Sequence, residues 1–239
     1  MALLPVFSLD LAPPGRMTAP TMIGGAIESA RTMSGYTSAI DVSGGGYVAV
    51  KYVEIFLGNA SANKLRYWMG LSARLNGGQK SITVPLMTDF WANNGLPIYT
   101  RGIPLSDGTT FSDGTTYMQS NIPAQLDAAA AVNANPVTIR MINGQALWGG
   151  EWFSILHLDG RHRAYNVIEP LSTVVNGDGS QTISVSIRPP LRVATAYQIP
   201  VRFDRPMCTM RLAPGSTIST DIMPSWQAKP EISFIESFP

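Results

Sequence analysis

From Val137 to Leu212 the chain alternates short β-branched and aromatic runs with turn dipeptides, and little except a small closed β structure accommodates that pattern. Val137-Thr138-Ile139-Arg140-Met141 alternates apolar and polar residues, and Asn143-Gly144 then signals a turn. Glu151 to Leu156 forms the next run, and Asp159-Gly160 the next turn. Arg163 to Ile168 follows, then the turn Asn176-Gly177-Asp178-Gly179. Thr182 to Ile187 alternates strictly and stops at Pro189-Pro190, because proline cannot donate to a strand ladder. Tyr197 to Phe203 and Pro206 to Leu212 supply two more strands. Strands this short, each bounded by a turn, predict a barrel or sandwich. Glu231 to Phe238 alternates once more and is expected to return to an earlier sheet, which makes the barrel an insertion.

The first half is less regular. Pro5, Pro13, Pro14, Gly15, Pro20, Gly24, Gly25, Gly35 and Gly44 to Gly46 punctuate residues 1–46, which predicts an extended arm with short strands and no helix. Tyr47 to Leu57 reads as a long strand, with Lys51 and Glu54 out of step and a bulge among them. Lys64 to Leu75 is the one amphipathic helix: Leu65, Trp68, Met69, Leu71 and Leu75 recur at helical spacing. Asn63 is its expected N-cap and Asn76-Gly77-Gly78 its stop. Ser81 to Pro85 returns as a strand. The four alanines within Asp127 to Val132 fit a helix of two turns at most or a short edge strand.

Bulk chemistry excludes several classes. Only 14% of the 239 residues are charged, against about 25% in an average domain, while 45% are hydrophobic. Lys plus Arg is 17 and Asp plus Glu is 16. Disorder needs the opposite balance, and a nucleic-acid binder needs a basic excess. So low a charge suits a subunit that hides apolar surface against neighbours. A lone cysteine, Cys208, forbids an internal disulfide and reads as a small buried residue. Met1 to Leu11 lacks a basic start and is broken by Pro5 and Asp10, so use without export is expected. Tyr47 to Leu57 is too short and too charged to span a bilayer.

Candidate chemistry is sparse. The repeat Ser106 to Phe111 and Ser112 to Tyr117 offers Asp107 and Asp113, too few oxygen ligands for a calcium loop. His157 and His162 flank Asp159-Gly160; with Asp159 they fall short of a zinc set and are expected to face solvent. The acids Glu151, Asp159 and Glu169 have no spacing diagnostic of a catalytic pair. No phosphate-loop or nucleophile-elbow motif is present. We therefore assign no catalytic, cofactor-binding or metal-binding residue, and expect no enzyme and no cofactor. Trp148, Trp152, Tyr165 and Tyr197 are the aromatics able to stack on a sugar, or else barrel core. Asn59-Ala60-Ser61 matches a glycosylation sequon, which means nothing without export.

One resemblance adds to this reading. Leu147-Trp148-Gly149-Gly150-Glu151-Trp152-Phe153-Ser154-Ile155 is followed by Arg163-Ala164-Tyr165-Asn166-Val167 and a Gly-Asp-Gly turn. Then come Arg188-Pro189-Pro190-Leu191-Arg192 and Arg205-Pro206-Met207-Cys208-Thr209-Met210-Arg211-Leu212. This order resembles the distal tail (tail-tip, baseplate) proteins of long non-contractile-tailed bacteriophages, as does the helix-then-strand stretch Lys64 to Pro85. The resemblance implies a mainly β chain: a β-sandwich belt domain with one helix plus a second small β-barrel-like domain. It places residues 1–120 and the C-terminal strand region 214–239 in the belt, and 121–213 in the barrel. It further implies a structural virion protein, made in the host cytoplasm, that forms a ring, a homohexamer, at the distal end of the tail. Its partners would be further copies of itself, the tail-tube protein, and the hub and fibre proteins. DNA would pass through the lumen without specific binding. A heterologous contact using edge strands and the N-terminal arm is expected in such a ring. A carbohydrate-binding receptor-recognition module and a tail-tube subunit are the alternatives.

Overall fold

The computed structural model describes residues 4–28, 33–34, 37–41, 43–57, 62–86, 124–141, 146–216, 218 and 229–238. The two six-residue repeats, the Asn59 sequon and Asn143-Gly144 lie outside them. In chain order the strands are β1 (Pro14–Met17), β2 (Thr21–Ile23), β3 (Ala26–Glu28), β4 (Ala39–Asp41), β5 (Tyr47–Ile55) and, after helix α1 (Ala62–Leu75), β6 (Ile82–Pro85). There follow β7 (Ala124–Leu126), β8 (Val137–Met141), β9 (Trp152–Leu156), β10 (His162–Val175), β11 (Gln181–Arg188), β12 (Pro200–Arg202), β13 (Met207–Leu212) and β14 (Ile232–Glu236). The described residues are mainly β with one α-helix, and a sheet-based unit is accompanied by a small closed barrel.

Described residues up to 86, 158–163 and from 207 onward make the first unit. Its sheet runs β1-β5-β14-β13-β6, with β2 also on β5, and every pairing is antiparallel. The segment around Val6 adds to β6 in parallel: Phe7 N–H donates to Thr83 O at 2.8 Å and Thr83 N–H to Pro5 O at 2.9 Å. The sheet curls, so that Tyr52 on β5 donates its hydroxyl to the Pro85 carbonyl on β6. Phe7 fills the concave side, with its ring 5.2 Å from Tyr52, 5.8 Å from Phe234 and 6.3 Å from Tyr67 of α1. Each such aromatic contact adds about 0.5–1.5 kcal/mol beyond the area it buries.

Local detail corrects several expectations. Lys51 keeps the alternation of β5, since Val48, Val50 and Tyr52 point inward and Lys51 pairs outward with Glu231 at 2.9 Å. The slip comes at Glu54 alone, whose φ of 56° shifts Ile55 back into the core. Helix α1 starts at Ala62, so Asn63 is an internal residue and not the cap. Trp68, Leu71 and Leu75 form its buried stripe while Met69 lies outside it, 55% exposed. The helix ends as expected: Asn76, Gly77 and Gly78 turn left-handed at φ of 43°, 64° and 93°. Strand β14 does return to the first sheet, between β5 and β13. Strand β13, expected in the barrel, also belongs to that sheet, because Met207 to Met210 pair with β6 and Met210 to Leu212 with β14.

Residues 124–157 and 164–206 belong to the second unit. Its six strands close in the order β10-β11-β8-β7-β12-β9. Alternation does the folding: Val137, Ile139 and Met141 of β8 and Ile183, Val185 and Ile187 of β11 point inward, their neighbours outward. Phe153 lies at the middle of this core, 5.5 Å from Tyr165 and 5.4 Å from Phe203. The alanine run forms neither helix nor strand; it bends, and Ala130 alone bridges Thr195. The stop at Asn133 and Pro136 leaves too few residues to offset helix nucleation. The stretch expected as a strand from Tyr197 to Phe203 is reduced to β12.

Candidate interaction surface

Trp148 is 84% exposed, although it follows the buried Leu147 and precedes the buried pair Glu151 and Trp152. The local chain explains how so large an apolar group is held outward. The Glu151 carboxylate turns back and accepts the backbone N–H of Trp148 and of Gly149, each at 2.8 Å. Gly149 and Gly150 supply φ of 105° and 96°, values that side-chain-bearing residues rarely adopt. A Cβ on Gly149 would stand 2.4 Å from the Ile168 carbonyl oxygen, so glycine is required there. Gly150 N–H bonds Val167 O at 2.7 Å, and the Asn166 side-chain amide donates to Gly150 O at 2.9 Å. The turn is thus pinned from both ends, and Trp148 is held outward on it.

Beside this turn β10 runs on past the barrel. Val167 N–H bonds Glu151 O on one side; beyond it the described pairings of β10 are with β11 alone. Among the described residues, 168–175 thus pair on one side only. Ile168, Leu171, Val174 and Val175 on it are 50%, 53%, 58% and 70% exposed. Its two halves differ. The first has register shifts at Ile168 and Leu171, together with Glu169 and Pro170, devices that discourage strand addition. The second, Ser172-Thr173-Val174-Val175, keeps unbroken register with Ser184 to Gln181 and carries no charge and no proline.

The first unit carries a different exposed feature. Among the described residues strands β3 and β4 pair only with each other, in a two-stranded ribbon. Ile27 and Ile40 face each other across it, and each is 61% exposed.

The residues weighed for chemistry are dispersed. His157 does not face solvent: it is buried, and its Nε2 lies 2.8 Å from the Tyr165 hydroxyl. The same hydroxyl accepts the Arg192 N–H at 3.3 Å. His162 is half-buried, and its N–H bonds Thr209 Oγ1 at 3.1 Å. Glu151 is committed to the Trp148 turn, Asp159 accepts the Arg161 N–H at 3.0 Å, and Glu169 is exposed on β10. Cys208 is buried. Among the described residues no group of three or more His, Cys, Asp or Glu is placed to hold a metal ion. Among them, too, no helix is long and apolar enough to cross a membrane. Of the four aromatics, Trp152 and Tyr165 are core, and Trp148 and Tyr197 are exposed. The role of Glu151 escapes a reading of spacings; its one signal is an acid directly after two glycines. Comparison with protein-family models and with curated proteins finds no match for this chain.

Proposed function

We propose that this chain is a structural subunit of a bacteriophage virion, forming a ring at the distal end of a long non-contractile tail. In this reading copies of the chain, six to a ring, join the tail tube to the hub and host-binding fibres, and DNA passes through without specific contacts. The observation that carries it is apolar surface held outward by design, Trp148 on a pinned turn and the β10 edge, on a chain with 14% charge. Such surface, kept rigid and uncovered, marks a protein–protein contact. The resemblance of Leu147 to Leu212 to distal tail proteins supplies the assembly. Immunogold labelling of particles from the source culture with antibody against this chain tests it. Gold confined to the far end of a tail is the expected result. Gold along the whole tail favours a tube subunit, and protein found only free in the cell, with bare particles, overturns the virion reading.

Trp148 also supports a second reading, a carbohydrate-binding module, because an exposed indole stacks on a pyranose ring. That reading rests on Trp148, with Tyr197 the other exposed aromatic. Glycan-array binding lost in Trp148→Ala would favour it; Trp152→Ala is a poor probe, since Trp152 is 8% exposed and buried in the fold.

A further inference from the structure

We propose that the β3–β4 ribbon of one copy takes its third strand from the edge Ser172–Val175 of β10 in a second copy, a head-to-tail contact through backbone pairing. The inference rests on the ring reading and names the surfaces that would build it. A two-stranded ribbon is at best marginally stable in water and needs a third strand or a packed face. Among the described residues β3 and β4 pair only with each other, and the facing Ile27 and Ile40 remain 61% exposed. The second unit offers the complement, four consecutive residues that, among the described residues, pair on one side only, with β11. They are β-branched or small, uncharged, and in regular register on β11. The adjoining residues 168–171 limit where pairing occurs, because two register shifts and Pro170 interrupt the ladder there. Charge permits the match: the ribbon carries Glu28 and Asp41, both exposed, and the run Ser172–Val175 opposes them with no acid. The two surfaces are unlike and belong to one chain. Contacts between unlike surfaces are heterologous, and they propagate from copy to copy until rotation closes them into a ring.

Two double variants test this. In the ribbon variant, Ile27→Lys with Ile40→Lys sets like charges directly opposite one another. In the edge variant, Val174→Lys with Val175→Lys charges the open edge as natural sheets do. All four positions are exposed, and far-UV circular dichroism with a thermal melt verifies that each variant folds. The readout is mass by light scattering on a sizing column. The wild type is expected to exceed a dimer and each variant to be monomeric. An equal mixture of the two variants is expected to double in mass and stop there, since one intact ribbon then meets one intact edge. A ribbon variant that still dimerises alone would reveal an edge-to-edge contact, and an edge variant that dimerises alone a ribbon-to-ribbon contact; either overturns the proposal. So does a monomeric wild type. Failure of the ring reading remains separate: tail-tip gold with a monomeric wild type removes this contact only, whereas head-to-tail association with bare particles removes the tail reading only.

Discussion

Arg163 is a charged residue buried in the first unit, 2% exposed, and one end of its guanidinium is partnered. Its Nη1 donates to Glu236 Oε1 at 3.2 Å and to the Ser237 carbonyl at 2.8 Å, and its guanidinium lies 5.4 Å from the Phe238 ring centre. Glu236 Oε2 accepts the Val48 N–H at 3.2 Å. Removing one partner strands a buried charge, so Arg163→Met is expected to cost about 3–5 kcal/mol in urea unfolding. The double variant Arg163→Met with Glu236→Gln is expected to lose less than the two single losses added together, which a double-mutant cycle measures. At the surface the logic is weaker but visible in pH. The Ser180 hydroxyl and N–H, with Arg140 beside them, hold Asp178 down from 3.8 to about 2. A carboxyl held low binds its proton less readily folded than unfolded, so its stabilisation is present at neutral pH and is lost as pH falls from about 4 towards 2. Asp178→Asn is expected to lower stability at neutral pH and to flatten the profile between about pH 4 and 2, where the two proteins converge, as read by melting temperature against pH. Asp178 was legible in part, because Asn-Gly-Asp-Gly announces a turn whose acid caps its own backbone. Arg163 and Glu236 were not: they stand 73 residues apart, and only the topology brings them together.

Elements were read most safely where burial repeats with a period. Strands β8 and β11 alternate inward and outward as written, and α1 is buried at Trp68, Leu71 and Leu75. Errors arose where tertiary pairing overrode local preference. Four alanines favour helix by propensity, yet Ala130 bridges Thr195, since Asn133 and Pro136 leave a segment too short to offset helix nucleation. In β5 two charged residues looked alike in sequence; Lys51 proved to be in phase and Glu54 out of it, a difference set by backbone φ. Helix α1 also contains a residue that weakens it for no local gain. Gly70 is exposed and helical, and a Cβ there would meet nothing within 4 Å. Gly70→Ala removes backbone freedom from the unfolded chain without a clash, so a gain of about 0.5–1 kcal/mol is expected in urea unfolding. Gly149→Ala is the contrast. At φ of 105°, and 2.4 Å from the Ile168 carbonyl, a methyl group forces the Trp148 turn apart, and loss of stability with a more mobile Trp148 by fluorescence anisotropy is expected.

At the scale of the whole molecule the informative event is the return of the chain. The first sheet is left after β6 and completed only by β13 and β14, so the closed barrel lies within the sequence of the first unit. The alternation of Glu231 to Phe238 made that return legible, but the assignment of Met207 to Leu212 was not, because a strand's pattern states which face is apolar and not which sheet it joins. The surfaces left over carry the functional argument. Both the ribbon and the β10 edge present isoleucine, leucine or valine on backbone that has one partner strand among the described residues, with few charges between them. Association through such surfaces gains from apolar burial and strand pairing, neither of which is screened by ions. An interface built on ion pairs would weaken as salt rises, since the screening length falls from about 10 Å at 0.1 M to about 3 Å at 1 M. The mass of the associated chain, followed by light scattering across that range of sodium chloride, is therefore expected to stay constant or increase. Dissociation to monomer at 1 M would transfer the contact to the exposed charged residues and away from the ribbon and the edge.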